Sequence, residues 1–543
     1  MRRLRGAGSG AVFFPFRSGL VGCLRGDVSL VRSQRFLAIL LLLGACANCA
    51  HRVPVEAVPP SEPREVPPPG REPVSGPEPP AIPPSDVRDE DLLPPLEPRR
   101  GGVIRFFGVD RSAGNAFVRS NVAEGLVPGG LLLAWRKPEG GSTCWILELT
   151  PNSRYPDGAT VSAGDVARSW IDAAARGGED AAWLLEPFED QAAEGQSASI
   201  ASAIHATGQV LEACPRRPTP DLPERLAHPA LWFSRGNGGA SPSGPGPFYP
   251  APDGSLHPNP NYAGPGPYVD RLEQVAVEGD PTVPLRLGDA HVAIVFGKVA
   301  SALLADPGPS ELQLSRLPEW DRTYFLWMNP AKRWVNDPQF RSWISKVAGR
   351  EEMVSYLFEG QAEPTLLLSP GSFDPPRTAP VPRPISASSV PRIELTYDAS
   401  DGYSETLARR IQAVLETKKV AITLDGRSTA ELRDRLEKKE VEMALLDHRP
   451  ASSDPLLGLL ESVYWLGSRE GREALRDACS TIDPAQPELR REAARSVERE
   501  LLDDSRIVPL IRLHAWLARH PRLTGTAPGA DGVLRLEEAW WLP

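Results

Sequence analysis

Residues 393–448 constrain the fold of this chain more than any other stretch. Short apolar runs predict three strands, and two amphipathic runs between them predict helices. In chain order these five segments are residues 393–397, 404–418, 420–424, 429–438 and 441–446. Strands that alternate with helices in this way form a parallel, doubly wound sheet. The sequence therefore predicts an α/β fold.

Charged residues follow the predicted strands closely. Parallel sheets of this kind bind ligands in the crevice beyond the carboxyl ends of their strands. The residues at those positions are Asp398, Asp425, Asp447, His448 and Arg449, and we predict that they contact a ligand. His448 has a second interpretation, a hydrogen-bonded histidine with no ligand.

Tryptophan is equally ambiguous. Trp327 is a candidate for the pocket wall because it lies near a predicted crossing of the chain, and Trp465 is a weaker candidate. Both also fit a role in the core.

Composition excludes several classes of function. The net charge of −10 argues against a nucleic-acid-binding protein, which would present a basic face. The eight histidines never pair at metal-ligand spacing, and Cys46 and Cys49 form the only C-x-x-C. No phosphate loop, H-E-x-x-H or G-x-S-x-G motif is present. We predict neither a metal nor a cofactor, and a binding protein rather than an enzyme.

The N-terminus has the pattern of an export signal. Arg35 precedes an apolar run at 36–43, which is shorter than the roughly 20 residues that span a bilayer. The small residues before Cys46 resemble a bacterial lipobox, which implies cleavage there and lipidation of Cys46. The alternative is an ordinary signal peptide that contains a cysteine. Residues 1–45 are thus predicted to be a leader and signal peptide.

A proline-rich segment follows the signal. Sixteen prolines lie between residues 53 and 98, and such a composition cannot bury enough apolar surface to fold. Residues 46–100 are predicted to be a tether that reaches roughly 100 Å or more in polyproline geometry.

The folded part begins near Gly101, and one motif in it is distinctive. Pro156-Asp157-Gly158 predicts a turn, and Ser162 with Asp165 predicts a helix N-terminus in which each residue caps the other. The stretch 155–166 resembles the signature of the extracellular solute-binding proteins, family 5, receptors of ABC importers for peptides and nickel complexes. Further resemblances occur in the family's order at 101–105, 124–126, 244–248, 261–272, 285–293 and 329–351.

The resemblance implies a two-lobed, periplasmic-binding-protein-like fold (type II, cluster C) with a small extra subdomain in the first lobe. It implies lobe I at 101–326 with the subdomain at about 145–233, lobe II at 327–505, and a return to lobe I at 506–543. The hinge is then expected at 327–329 and 506–511. Independently, Asp337-Pro338 and Asp483-Pro484 predict helix starts, the second followed by an inward stripe of Leu489, Ala493, Val497 and Leu501.

The family pattern fails at one position that matters for ligand chemistry. In peptide-binding members the strand corresponding to 441–446 continues as G-W-x-x-D-x-x-x-P, where the Asp pairs with the peptide ammonium. Alignment on Pro455 places Ala451 at that Asp. Either Asp447 or Asp454 supplies the charge from a displaced position, or there is no ammonium site, because a buried cation without a counter-ion is costly.

Two expectations complete the analysis. Cys144 and Cys214 flank predicted strands of the small subdomain, so a disulfide between them is permissible in an exported protein. We expect a lipid-anchored, monomeric protein on the periplasmic side of a bacterial membrane, which captures a peptide-like or other small solute for an ABC permease. The alternatives are an envelope scaffold that no longer delivers solute and, less well supported, an enzyme.

Overall fold

The computed structural model describes residues 97–108, 131–137, 140, 142–175, 183–188, 196–232, 244–277, 279–368, 392–449, 452, 454–463, 466, 469–503, 506–526 and 534–543. Several predictions lie outside the described residues: the leader, Cys46, most of the tether, the motif at 124–126, Trp465 and Ala451.

A seven-stranded sheet contains both early and late parts of the chain. Its strands are β1 (Val103–Gly108), β6 (Phe248–Pro250), β7 (Leu256–Pro258), β8 (Arg271–Gln274), β9 (Val292–Phe296), β10 (Gln313–Arg316) and β17 (Ala515–Arg519), in the order β10-β17-β9-β1-β8-β7-β6. The central strand β1 runs parallel to β8 and β9. Helices α4 (Thr282–Arg286) and α5 (Gly297–Ala305) flank β9 in the sequence.

A six-stranded sheet contains the region that the sequence analysis emphasised. Its strands are β11 (Arg322–Met328), β12 (Ala362–Pro364), β13 (Ile393–Asp398), β14 (Ile422–Arg427), β15 (Met443–His448) and β16 (Ile507–Leu513), in the order β12-β16-β11-β15-β13-β14. β13 pairs in parallel with both β14 and β15, which confirms the predicted parallel unit.

The helices of this unit cover opposite faces of its sheet. α8 (Gly402–Thr417) packs Leu407 and Ile411 against the same core as Met443, whereas α9 (Thr429–Glu437) lies against the other core through Leu436. Helices α6 (Pro338–Val347) and α7 (Arg350–Leu357) precede β12. Asp337 caps α6 by accepting from the Gln339 amide, with Pro338 at the first position, as predicted.

A small four-stranded sheet is inserted between β1 and β6. It contains β2 (Leu132–Arg136), β3 (Trp145–Leu149), β4 (Ile204–Thr207) and β5 (Val210–Ala213) in the order β2-β3-β5-β4, with helices α1 (Ala163–Ala175), α2 (Gln196–Ala203) and α3 (Leu222–Ala227). Trp145 pairs with Ala213 across β3 and β5, which brings the preceding and following cysteines together. Cys144 and Cys214 form a disulfide, which the sequence made permissible.

The chain crosses between the two large sheets at residues 317–321 and at His514, since β10 and β17 belong to one sheet and β11 and β16 to the other. The expected hinge positions at 327–329 and 506–511 are therefore wrong, because the crossings lie at the opposite ends of β11 and β16. Those residues contain the pairing of Trp327 with Ile507 between β11 and β16, inside the six-stranded sheet. The apolar character of both strands gave no sign of which sheet they join.

Three late helices complete the structure: α10 (Pro455–Val463), α11 (Arg469–Thr481) and α12 (Pro487–Asp503). The prediction for α12 was partly wrong. Asp483 forms a turn by accepting from the Ala485 amide, and the helix begins only at Pro487. Leu489 is 50% exposed, and Arg490 lies inward instead, at 0% exposure.

Two large hydrophobic cores lie on the two faces of the six-stranded sheet. Along β11 the side chains alternate between them: Tyr324 and Leu326 belong to the first, and Phe325 and Trp327 to the second. The first core also contains residues of the seven-stranded sheet, such as Phe106. The second core, which we call the shared core, is built jointly by the small sheet, α10–α12 and this face of the six-stranded sheet.

Candidate ligand-binding site

The two crossings lie side by side and are hydrogen-bonded to each other. Arg316 donates two hydrogen bonds to the Asp321 carboxylate, at 2.6 and 2.5 Å. Asp321 Oδ1 also accepts from the Ala515 amide at 3.0 Å. The Leu317 amide donates to the Ala515 carbonyl, also at 3.0 Å. A pair of adjacent crossings between two sheets is the geometry of a hinge, around which two lobes close on a ligand.

Asp447 and His448, although consecutive, lie on opposite faces of the sheet. In the β11–β15 register Asp447 is opposite Tyr324 and His448 is opposite Thr323, and neighbouring residues of a strand point to opposite faces. Asp447 is exposed, whereas His448 is 8% exposed. The structure thus separates the two side chains that the sequence placed in one pocket.

The environment of His448 keeps its ring neutral. Burial, together with the charge of Arg449, lowers the pKa of His448 to about 3, against a hydrogen bond with the Gly458 backbone that favours the charged form. At neutral pH the ring has no charge to offer a ligand. Its surroundings fit the hydrogen-bonded interpretation.

Two arginines stack on aromatic rings where the sheets meet. The guanidinium carbon of Arg449 lies 4.1 Å from the ring centroid of Trp320, and that of Arg322 lies 4.8 Å from that of Phe296. Such cation–π contacts hold a guanidinium in a fixed orientation. Arg449 and Asp447 therefore form a polar surface at the end of β15, beside the hinge.

Two tyrosines make hydrogen bonds near this surface. Tyr324 Oη donates to Asp401 Oδ2 at 2.9 Å within the six-stranded unit, and the same oxygen accepts from Ser404 Oγ at 2.7 Å. Burial, followed by the charge of Asp401, raises the pKa of Tyr324 well above its usual value. Tyr403 Oη donates to the Phe296 carbonyl of the seven-stranded sheet at 3.3 Å and so joins the two sheets.

Gly297 explains how closely the sheets approach. It has a φ of +48°, and a Cβ there would lie 3.0 Å from Phe358 and 3.4 Å from Tyr403. A larger residue would be strained in the left-handed region and would push against Tyr403, which hydrogen-bonds the two sheets together.

Asp398 and Asp425 have protein partners. Asp398 accepts from the Ser400 amide and hydroxyl at 2.8 and 2.6 Å, and from the Thr429 hydroxyl at 2.6 Å. Asp425 pairs with Arg435 and, at 2.8 Å, with Arg427. Asp425 also lies inside β14 rather than beyond its end. The structure does not bring these two carboxylates together with Asp447.

Trp327 is a core residue in this structure. It is 5% exposed, belongs to the shared core, and donates from Nε1 to the Leu466 carbonyl at 3.2 Å. Of the predicted ligand-contacting residues, Asp447 is exposed on β15, and Arg449 stacks on Trp320 of the first crossing. That any of the six contacts a ligand stays a prediction.

Asp454, the displaced candidate for an ammonium site, is paired by the protein itself. Arg490 Nε lies 2.5 Å from Asp454 Oδ2 and Nη2 lies 3.0 Å from Oδ1. Arg490 Nη2 also lies 3.4 Å from Asp221 Oδ2, which is bound by Arg225 at 3.3 Å. The sequence analysis missed this network. The helical spacing gave no signal for it, because Arg490 lies beside the predicted stripe of α12 and not in it.

Two family-like motifs meet in space. Asn261 Nδ2 donates to the carbonyls of Tyr155 and Pro156 at 3.3 and 3.1 Å, and Asn259 Nδ2 donates to that of Arg154 at 3.4 Å. The motif at 155–158 and the one at 261–262 therefore attach the small sheet to the seven-stranded sheet. Their role here is structural.

Neither a metal site nor a membrane span emerges from the part of the chain that the structure describes. There the only group of ligand-type residues close enough for a metal is Cys144, Glu212 and Cys214, and the disulfide engages both of its cysteines. In those same ranges every helix is too short or too polar to cross a bilayer.

The fold and the hinge define a class, the two-lobed solute-binding proteins. The model for bacterial extracellular solute-binding proteins, family 5, matches residues 127–463. The chain belongs to this family, and the predicted fold class is confirmed. No curated protein matches the chain.

Solved structures support the same fold. A periplasmic binding protein, DppA from Helicobacter pylori in complex with the peptide STSA, is 15% identical, with a TM-score of 0.65 over 82% of this chain and 99% of that one. The Escherichia coli murein tripeptide binding protein MppA is 16% identical, with a TM-score of 0.66 over 82% and 99%. NikA from Staphylococcus aureus in complex with Ni(L-His)2 is 14% identical, with a TM-score of 0.64 over 81% and 99%.

Proposed function

We propose that this protein captures a peptide-like or other small solute between its two sheets and delivers it to an ABC permease. The observation that carries the proposal is family membership over residues 127–463 combined with the paired crossings at 317–321 and His514. Solved relatives of the same fold hold a peptide or a nickel complex. Lobe closure about the hinge would create the shape that the permease recognises.

The solute would lie against the polar surface formed by Asp447 and Arg449 at the end of β15. Asp447 is exposed and lies opposite Tyr324 of β11, the strand that begins directly after the first crossing. This position makes Asp447 the candidate to meet an ammonium group, and Arg449 could meet a carboxylate.

A thermal-shift screen tests the proposal. The purified chain is titrated with di- to pentapeptides, their N-acetylated forms and metal chelates. A ligand at about 100 times its dissociation constant stabilises the folded state by about 2.7 kcal/mol. Stabilisation by free peptides that Asp447→Asn abolishes would assign the ammonium contact to Asp447.

The matched control is Asp434→Asn, which changes an exposed carboxylate on α9 that pairs with Lys438. This variant should bind as the unmodified chain does. Preference for N-acetylated peptides would instead indicate a receptor without an ammonium site. A well-folded sample that no ligand stabilises would contradict solute capture.

One observation favours a second candidate function. The position of the family's ammonium-binding Asp holds Ala451, and the nearby Asp454 is neutralised internally. A protein that kept the fold but lost the ligand would serve as an envelope scaffold. Failure of the whole ligand screen, together with capture of an envelope partner, would support it.

Anchoring and assembly complete the proposal. We place the chain on the periplasmic side of a bacterial membrane, held by a lipid at Cys46 and a tether over residues 46–100. We propose that lobe I and lobe II meet at the crossings 317–321 and His514, and that the protein acts as a monomer beside its permease. Cys46→Ala should release the protein from the membrane fraction, as immunoblotting of fractionated cells would show.

A further inference from the structure

The strongest cross-sheet connection lies away from the hinge. The small sheet, which the chain enters from the seven-stranded sheet, shares its core with α10–α12, which lie between β15 and β16 of the six-stranded sheet. Asp221 belongs to the first group, whereas Asp454 and Arg490 belong to the second. A four-charge network of Asp221, Arg225, Arg490 and Asp454 therefore connects parts of the chain on the two sides of the hinge.

The network is buried and balanced. Asp221 and Arg490 are 0% exposed and Arg225 is 1% exposed. The two carboxylates and two guanidinium groups carry no net charge. Arg225 is further held by the Trp183 carbonyl at 3.0 Å, and Arg490 by the Ile482 carbonyl at 2.6 Å. Asp221 Oδ2 takes both arginine contacts, whereas its Oδ1 is buried without a hydrogen-bond partner. Held in this way, the four groups fix one relative position of the small sheet and α12.

A second bridge repeats the connection. Glu186, also on the small-sheet side and 2% exposed, lies 2.5 Å from Arg476 of α11 and contacts Arg217 as well. The shared core adds apolar burial between the same two groups of elements. Two ionic bridges and one core thus act on the same interface.

We propose that the Arg490 network is a latch that keeps the small sheet closed against α10–α12 when no solute is bound. The proposal rests on the hinged function above. Movement about the crossings must then either break the latch or carry the small sheet along with the second lobe. The latch favours the second of these, in which the small sheet moves with the second lobe. The hydrogen bonds from Asn259 and Asn261, which attach the small sheet to the seven-stranded sheet, then break first.

Removing Arg490 breaks the contact that crosses the interface and leaves the charges unbalanced. Without its guanidinium, Asp221 keeps Arg225, and Asp454 loses the cation that pairs with it. Buried carboxylates that lack a partner favour any state in which water reaches them. Arg490→Met, which keeps the length of the side chain, should therefore open this interface.

Hydrogen exchange of the full chain, measured by mass spectrometry without solute, tests the latch. In the unmodified protein α3 and α10–α12 should exchange slowly. In Arg490→Met both sides should exchange at least about tenfold faster, in line with couplings of this kind. The matched control is Arg491→Met, which alters the neighbouring exposed arginine and should leave both sides slow.

A double variant separates the latch from the cost of an unbalanced buried charge. Arg490→Met combined with Asp454→Asn removes one charge of each sign, and asparagine still caps α10. Exchange should stay fast on both sides, because the contact of Arg490 with Asp221 is still missing, and a return of slow exchange on both sides would overturn the latch. If Arg490→Met accelerates α12 alone, or if the unmodified chain already exchanges rapidly at α3 and α12, the latch is wrong.

Should Arg490→Met fail to fold, Asp221→Asn breaks the cross-sheet contact and leaves the Arg490–Asp454 pair intact. It should accelerate α3 and α12 together, and no acceleration would overturn the proposal. The exchange experiment contains no solute. A latch that holds while every ligand fails in the thermal-shift screen would thus reject the proposed function and keep the inference.

Discussion

His448 makes the stability of this protein depend on pH in a predictable direction. Burial lowers the pKa of His448 to about 3, whereas the unfolded chain has the ordinary value of 6.5. Below pH 6.5 the unfolded state binds a proton at His448, whereas the folded state does not bind it until the pH approaches 3. The contribution of neutral His448 is therefore fully present above pH 6.5 and is lost as the pH falls from 6.5 towards 3.

The magnitude follows from the difference between the two pKa values. One pKa unit corresponds to about 1.36 kcal/mol, so the full loss is about 4–5 kcal/mol by pH 3. Between about pH 5.5 and about pH 4.5 the unfolded state carries nearly one more proton at this site. The free energy of unfolding should there fall by about 1.3 kcal/mol per pH unit because of His448 alone.

His448→Gln isolates this contribution. The amide can still hydrogen-bond to the Gly458 backbone but does not titrate. Urea unfolding followed by tryptophan fluorescence should show a slope about 1.3 kcal/mol per pH unit shallower than that of the unmodified chain. Carboxylates titrate in both proteins and cancel in the comparison. His205→Gln, at an exposed residue of β4, is the matched control.

Equal slopes for His448→Gln and the unmodified chain would refute the reasoning. They would mean that the folded protein accepts the proton at His448 as readily as the unfolded chain does. The side chain would then be hydrated, and its placement against α10 would be wrong.

Three further outcomes are expected. Cys144→Ser should lower the free energy of unfolding by about 2–4 kcal/mol, because the disulfide closes a long loop to Cys214; urea unfolding measures it, and reductant should affect only the unmodified chain. Asn261→Ala should cost about 1–3 kcal/mol by removing the hydrogen bonds to the Tyr155 and Pro156 carbonyls, of which that of Tyr155 keeps the Gly158 amide, and limited proteolysis should then release the small sheet first. Trp327→Ala should cost about 3–5 kcal/mol in urea unfolding, as for a core residue, and Trp327→Phe clearly less; equal, negligible losses would favour the pocket interpretation.

The parts of the fold that sequence predicted well depend on short-range chemistry. The β13-α8-β14-α9-β15 unit follows from apolar periodicity within it. Ser162 and Asp165 cap α1 through mutual bonds of 3.0 and 3.2 Å, and a three-residue spacing is enough to foresee them. The disulfide was foreseeable from the positions of its cysteines beside predicted strands.

The site was harder to predict because its contacts join distant residues. The sequence around Asp454 does not predict its contact with Arg490. The sequence around Asp221 likewise predicts no contact with Arg490. Asp447 and His448 were predicted to share a pocket because they are adjacent, yet adjacency in a strand places them on opposite faces. The hinge was misplaced because an apolar strand pattern does not specify which sheet the strand joins.

The shared core also has a consequence for how the protein folds during export. Its apolar side is supplied early by residues such as Trp145 and Trp170, and late by residues such as Leu475 and Val497. A chain delivered from its N-terminus must expose the first half of this core until the last helices arrive. The small sheet is thus completed late although its own residues are made early, and a chain truncated before α12 would expose the apolar side of this core.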